Sequence, residues 1–295
     1  MSATPMVEDA DFMVRPAVSV QEAREVWWPL MKELGWNRDY DDAATHYHVS
    51  RNGSGWLILI PRETGKPEGC VVAFTYPNGT GWVGFFIVNA AYRGNGWGRA
   101  LWKALEESYN TTSTAIVGLD GVEAQVNTYR RRGFEDMARI KLMVRPSLVE
   151  KPLATARPKP GGEEQIVDIR DVDTKALAKL DLAHTGLERT ALWTQDALFF
   201  RKDAFGHALL SNSHGTTKLS GFVLVRRCEH GHRFGPLYAG TYDQALLLLQ
   251  TSMEAIQESK GSMIAEIFGS HPEGMKVFEE QGSQPYVLRV VVYDP

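Results

Sequence analysis

Ten residues, Tyr92-Arg93-Gly94-Asn95-Gly96-Trp97-Gly98-Arg99-Ala100-Leu101, constrain this chain more than any other segment. They follow the apolar run Trp82-Val83-Gly84-Phe85-Phe86-Ile87-Val88, which reads as a buried strand, and lead into Ala100-Leu101-Trp102-Lys103-Ala104-Leu105-Glu106-Glu107, which reads as a helix. A glycine-rich turn between strand and helix points several backbone N–H groups at one spot. It also sets the positive end of the helix dipole there, so the turn can bind phosphate. The glycines let the backbone approach the anion closely and can take φ > 0 at little cost. Gly94, Gly96 and Gly98 are spaced by two, which excludes the G-x-G-x-x-G turn of dinucleotide folds, and no Gly-Lys-Ser/Thr closes a P-loop. For so short a motif, a loop that merely turns the chain is the plainer alternative.

At 295 residues the chain is long enough for about two ordinary domains. The segment over 146–165, PSLVEKPLATARPKPGGEEQ, is rich in Pro and Gly and lacks periodicity, so it reads as a linker. This predicts domains over 1–145 and 166–295. A net charge of −4 gives no general pull toward nucleic acid or an anionic membrane. No apolar stretch approaches the roughly 18 residues that span a bilayer, and the acidic start over 1–12 lacks a signal-peptide pattern. Cys70 and Cys228 lie at strand-like positions far apart and read as small buried groups. A cytoplasmic location is expected.

The first half alternates strands and helices: a strand from Phe12, a helix over 19–34 capped by Ser19 with Glu22 as its capping-box partner, and a helix over 41–48. Strands over 56–60, 69–74 and 82–88 follow, then the glycine loop and its helix, a strand over 115–119, a helix over 122–132 and a last strand over 134–144. The second half repeats the order. Its strands are expected at 166–169, 208–211, 221–225, 233–239, 263–268 and 287–293, and its helices at 174–183, 194–201, 243–258 and 272–280. A repeat of this length implies duplication of a whole domain. In place of the loop, the second half has Tyr238-Ala239-Gly240-Thr241-Tyr242-Asp243, with one glycine for three and an acid that could cap its helix but repels phosphate.

Arg93-Gly94-Asn95-Gly96-Trp97-Gly98 matches Arg/Gln-x-x-Gly-x-Gly, and the chain resembles the GCN5-related N-acetyltransferase (GNAT) superfamily, where this is the pyrophosphate loop of acetyl-CoA. The resemblance implies an α/β architecture of two mixed-sheet domains with flanking helices. It narrows to tandem proteins with a standard first domain and a divergent second one. Gly35-Trp36-Asn37, Asp42, Gly118-Leu119-Asp120-Gly121-Val122, Gln125 and Tyr129 carry it in the first half. Asp181, Gly186, Arg189, Gly221-Phe222-Val223-Leu224-Val225-Arg226 and Gly235-Pro236-Leu237-Tyr238-Ala239 carry it in the second.

On that resemblance, Phe86, Ile87 and Val88 form the splayed strand whose N–H groups meet the coenzyme, and Arg93, Gly94, Asn95, Gly96, Trp97, Gly98 and Arg99 hold its pyrophosphate. Tyr129, four residues before Gly133-Phe134, is implied as the acid that protonates the leaving thiolate; a packed ring with a satisfied hydroxyl is the competing reading. Asp120 could take the amine's proton or simply bond its own turn, with Glu123 in reserve. Trp36, Asn37, Asp42 and Gln125 are the acceptor candidates, an indole and a carboxylate suiting a cationic amine. One of Arg130, Arg131 and Arg132 could reach the coenzyme's 3′-phosphate, although such runs more often face solvent. No metal is expected: Cys228-x-His230-x-His232 alternates along a strand, but His230-Gly231 looks like a hairpin turn without a second ligand pair. His184 and Glu188 straddle Gly186, so a shared helical face is doubtful.

The function expected is acetyl-CoA-dependent N-acetylation of a small-molecule primary amine bound between the halves. A non-catalytic acyl-CoA-binding regulator is the alternative, and acetylation of a protein amine a third reading. Oligomeric state is not legible.

Overall fold

Apolar strand segments and half-apolar helices recur in both halves, where helices cover the sheet. In the computed structural model, which describes residues 3–153, 156–213, 215–269 and 272–294, the first half contains β1 (Val7–Glu8), β2 (Phe12–Pro16), α1 (Val20–Glu33), α2 (Asp42–Val49), β3 (Trp56–Pro61), β4 (Gly69–Thr75) and β5 (Thr80–Val88). Then come α3 (Trp97–Thr111), β6 (Ile116–Gly121), α4 (Val126–Arg130) and β7 (Glu135–Arg145). The second half contains β8 (Glu164–Asp168), α5 (Thr174–Thr185), β9 (Ala204–Ser213), β10 (Thr216–Cys228), β11 (Gly231–Ala239), α6 (Tyr242–Glu254), β12 (Ser262–Phe268), α7 (Pro272–Glu280) and β13 (Gln284–Asp294). Residues 154 and 155 of the linker segment lie outside the described residues.

Local chemistry sets the element ends. Ser19 caps α1 by accepting from the Glu22 N–H at 3.1 Å. The Glu22 carboxylate returns to the Val18 N–H at 2.8 Å and pairs with Arg15, one residue outside a standard capping box. The helix expected over 122–132 is shorter: β6 runs on through Gly121, Val122 stays extended, and a 3₁₀ turn, Glu123–Gln125, precedes α4. The helix expected over 194–201 is a π-helical turn, Gln195–Phe199, capped by Thr194. Asp243 does not cap α6; the Thr241 hydroxyl does, accepting from the Gln244 N–H.

Why β3 is apolar throughout is plain from its two faces. Leu57 and Leu59 meet α3 residues Leu101 and Leu105, whereas Trp56, Ile58 and Ile60 meet α1 residues Trp27 and Met31. The second half has its own pair of cores, one around Leu247, Leu248 and Phe278 and the other around Trp193, Leu198 and Phe222.

Among the described residues, thirteen strands form one continuous sheet in the order β1-β2-β3-β4-β5-β6-β13-β7-β12-β11-β10-β9-β8. The last strand of the chain, β13, enters the first half and lies antiparallel between β6 and β7. In turn β7 pairs antiparallel with β12 of the second half. The exchange leaves no open edge at the join, where unpaired strand groups would otherwise be exposed.

Candidate active site

The site begins as a defect in the sheet. Cys70 pairs with Ile87 but Val72 pairs with Gly84, so Phe85 and Phe86 bulge from β5, and Phe85 takes φ +52°. A bulge bends its strand and ends regular pairing. Accordingly, β5 follows β6 in parallel only from Thr80 to Val83, while β6 continues to Gly121 against β13. Phe86, Ile87 and Val88 therefore line a wedge between two separating strands. Phe86 and Val88 face the α3 side, and Phe85 and Ile87 the α1–α2 side.

The glycine loop lies at the mouth of that wedge. Gly94 and Gly96 have φ of +88° and +82°, values that disfavour any side chain. Gly96 is the N-cap of α3, and no side chain caps that helix end. Its first N–H groups lack intrahelical partners by geometry and face the loop. The Arg93 Nε donates to the Val88 carbonyl at 2.8 Å, tying the loop to the end of β5. Trp97 stacks on Tyr92 at 5.6 Å and meets Phe12 at 5.4 Å, which anchors the start of α3. Arg93, Gly94, Asn95 and Arg99 are exposed, and Gly96 and Gly98 half-buried. The segment thus has the properties an anion cradle needs: converging donors, open space and a rigid rear wall.

Tyr129 is on the same face. Its ring lies over Gly121, where an added Cβ would approach it to 3.0 Å, and packs against Trp102 and Phe134. Trp102 contacts Phe86 at 5.3 Å, so a short aromatic path joins Tyr129 to the splayed strand. No described residue hydrogen bonds to the Tyr129 hydroxyl. Burial raises its pKa, Arg132 opposing, so the phenol is a proton donor at neutral pH. Gly121 is the signal sequence reading passed over: it clears the space for that ring.

Asp120 sits one residue before Gly121 and half-buried, and strand alternation turns it away from the α3 face of Val117 and Leu119. Gln125 is exposed and accepts from the Thr128 hydroxyl at 3.1 Å. Arg130 pairs with Asp136 at 2.5 Å, Arg131 donates to Thr128, and Arg132 lies 4.3 Å over the Trp102 ring.

The other face of the wedge meets the second half. Asn37 accepts from the His230 N–H at 2.9 Å, and Arg233 donates to the Trp36 and Asn37 carbonyls. Trp36 and Asn37 are thereby built into the seam between halves. Asp42 departs from the expected acceptor contact. It is 3% exposed and pairs with Arg201 at 2.5 Å, so its charge is engaged within the protein. Burial alone would raise the Asp42 carboxyl, but Arg226, Arg201, His46 and Arg38 hold it well below the ordinary carboxylate range. Arg201 also pairs with Asp203 at 2.7 Å, and Arg227 with Asp39 at 2.9 Å. Arg233 is 3.1 Å from Glu266. His46 lies 4.9 Å from the Phe85 ring, and burial lowers its pKa to about 3, against the pull of Asp42. Sequence reading missed Arg38, Arg201 and Arg233 because their partners, Glu266 and Asp42, lie far away in the chain or on other elements of the fold.

Removing Asp42 leaves buried guanidiniums short of a counter-charge. Asp42→Asn is expected to lower stability by about 3 kcal/mol, read from denaturant midpoints. The folded Asp42 pKa is depressed, so its contribution is complete above about pH 4 and falls as pH drops toward the folded value. The variant should therefore show a flatter loss of stability in acid.

In the second half the bulge persists but the cradle does not. Val223 pairs with Leu237 and Val225 with Phe234, and β11 follows β12 only from Gly231 to Phe234. The Gly240 N–H is taken by the Gln244 side chain at 3.0 Å, and the Gln244 amide is held by Glu164. Phe278, at the position corresponding to Tyr129, is buried in the core. His184 stacks on Tyr238 at 4.3 Å, beyond which Gly186 ends α5 in the left-handed conformation. Among the described residues, no group of three His, Cys, Asp or Glu side chains could hold a metal ion; Cys228 ends β10, and His230 lies in the turn to β11. No described helix is long and apolar enough to cross a membrane.

Residues 20–134 match the family model for the acetyltransferase (GNAT) family, and residues 177–287 match that for an acetyltransferase (GNAT) domain. Holothin acyltransferase of Pseudoalteromonas sp. (strain SANK 73390) is 23% identical over 247 residues, which span 80% of this chain and 74% of that protein. A tandem GNAT protein from the clavulanic acid biosynthesis pathway superposes with a TM-score of 0.69 at 15% identity, over 96% of this chain and 98% of the other. A GCN5-related N-acetyltransferase from Sphaerobacter thermophilus does so with a TM-score of 0.67 at 12% identity, over 97% and 96%. At these identities the two structures share the fold.

Proposed function

Because this chain belongs to the GCN5-related N-acetyltransferase superfamily and carries two GNAT domains in tandem, we propose that it transfers an acetyl group from acetyl-CoA to a primary amine of a small molecule bound near the join of the halves. The observation that carries this reading is the uncapped N-terminus of α3, with Gly94, Gly96 and Gly98 beside it, at the mouth of the wedge between β5 and β6. The loop N–H groups and α3 dipole take the pyrophosphate, with Arg93 and Arg99 at its rim. The pantetheine arm runs into the wedge, where the backbone of Phe86, Ile87 and Val88 meets the thioester and polarises its carbonyl.

The amine enters from the α1–α2 face. As a neutral nucleophile it attacks the carbonyl carbon; the C–S bond breaks as the C–N bond forms. Tyr129 protonates the departing thiolate, and the amine's surplus proton passes to Asp120, directly or through water. Trp36 and Asn37 contribute the acceptor wall, and Gln125, exposed just before the helix that carries Tyr129, is the remaining acceptor candidate. Support for one reactive half comes from the filled nest at Gly240 and the missing hydroxyl at Phe278.

Release of free CoA thiol from acetyl-CoA with a panel of small primary amines tests the reading. Amine-dependent release that disappears when the α3 loop is blocked supports it; no release with any amine, despite coenzyme binding, overturns it. Calorimetry should give one acetyl-CoA per chain. Two equivalent sites would show that the second half keeps a cradle of its own.

A further inference from the structure

The bulge in β5 holds two phenylalanines on opposite faces. Phe86 faces the α3 side, 5.3 Å from the Trp102 ring, and Phe85 the α1–α2 side. Both are half-buried. The Phe85 ring lies 5.4 Å from Trp27, 4.9 Å from His46 and 6.5 Å from Trp56. Trp27 and Trp56 are fully buried, so the ring rests on packed aromatic groups with no free space behind it. The Arg38 guanidinium lies 6.0 Å from its centroid. The Phe85 φ of +52° is one that a bulky residue rarely adopts and glycine adopts freely. A ring is thus kept where the backbone favours no side chain.

The same bulge fixes where a thioester would lie. The Phe85 carbonyl accepts from the Cys70 thiol on β4 at 3.6 Å. In a planar trans peptide the carbonyl and the following N–H point in opposite directions. The Phe86 N–H therefore points away from β4, toward the wedge. A coenzyme arm that enters at the glycine loop, beyond Val88, runs along β5 toward the point where β5 rejoins β6 at Val83 and Leu119. Its last atoms, the thioester and the acyl group, come to the Phe86 N–H, and the acyl chain beyond the carbonyl meets the Phe85 ring at the closed end. The space over Gly84, the next residue toward that end, is already filled: a Cβ there would lie 2.6 Å from the Phe74 ring.

We propose that Phe85 sets the acyl donor of this chain: its ring closes the acyl end of the wedge, admits acetyl-CoA and turns away longer acyl-CoA thioesters. This rests on the transferase reading above and names the donor class of that site. A packed wall discriminates steeply, because each added methylene must displace a neighbour already in contact. The plainer role for Phe85, a ring that only packs the α1–α2 core, makes the opposite forecast: a donor profile indifferent to the residue at that position.

The experiment measures CoA release from acetyl-, propionyl-, butyryl- and hexanoyl-CoA with one accepting amine. Wild-type kcat/KM should fall by about 100-fold or more from acetyl- to butyryl-CoA, each methylene contributing about tenfold or more. Phe85→Leu should bring the acetyl-to-butyryl ratio within about tenfold, the gain falling on butyryl-CoA. Phe85→Met, whose flexible chain can fold aside, carries the same forecast should the leucine variant not fold. Neither adds backbone strain beyond what Phe85 already bears. A wild-type ratio near one overturns the proposal and leaves the transferase reading intact, whether or not a variant folds. A folded variant that keeps the wild-type ratio also overturns it and makes Phe85 a packing residue. If no amine accepts any acyl group, the transferase reading fails, and calorimetric titration with acetyl- and butyryl-CoA decides the wall directly. Butyryl-CoA binding more weakly than acetyl-CoA to the wild type, and equally to a variant, upholds it. Equal affinities for the wild type, or no binding of either, remove it.

Discussion

Gly98→Val should abolish acetyl-CoA binding in a protein that still folds. Gly98 is the second residue of α3, and its φ is not in the left-handed region, unlike those of Gly94 and Gly96. A Cβ there would sit 3.7 Å from the Phe86 ring and 4.0 Å from Val88, which are ordinary contacts. Valine is also a slightly better helix former than glycine. Helical Cβ atoms tilt toward the N-terminus, so the two methyl groups would project into the mouth of the loop, where the pyrophosphate must approach the backbone. Losing two charge-assisted hydrogen bonds of about 1.5–3 kcal/mol each weakens binding by about 100-fold or more. Calorimetric titration with acetyl-CoA, beside a melting curve, reads the result. Unchanged affinity in a folded variant would remove the coenzyme from this loop. The same substitution at Gly94 or Gly96 is a poorer probe, because strain there would confuse lost binding with lost structure.

Tyr129→Phe should lower turnover by about 10²–10⁴-fold at saturating acetyl-CoA, the usual contribution of a general acid. Coenzyme affinity should change little. Stability should move by less than about 0.5 kcal/mol, since the ring packing on Gly121, Trp102 and Phe134 is kept and no described residue depends on the hydroxyl. Burial keeps the phenol protonated beyond its ordinary range, so its ionisation should not reduce the wild-type rate below about pH 10. A variant retaining more than half the rate would make Tyr129 a packing residue and leave the thiolate's proton to water. A larger stability loss would mean that the hydroxyl serves a structural partner.

What could be read from the sequence was local. The glycine loop, its flanking strand and helix, the repeat of the element order and the loss of the loop in the second half all depend on neighbours within a few residues. Backbone conformation at Gly94 and Gly96, the Ser19 cap and the strand–turn–helix succession are set at that range. Tyr129 and Gly133 could likewise be placed by spacing, because they share one short turn and the strand that follows it.

Pairings between residues 150 or more apart were beyond that reading. Nothing local tells β13 to leave its own half and lie between β6 and β7; both locations satisfy an apolar strand equally well. Asp42 looked like an acceptor ligand because its partner, Arg201, is 159 residues away, and a carboxylate's role depends on which charge faces it. Arg226 reads as one more basic residue at the end of a strand. Only the docking of β10 and its turn against the α1–α2 loop brings its charge to bear on Asp42, beside that of Arg201. The chain's own chemistry determined that a phosphate cradle would form after β5. Tertiary structure decided what faces it across the seam, because desolvation and charge pairing are properties of the assembled halves and not of either sequence segment.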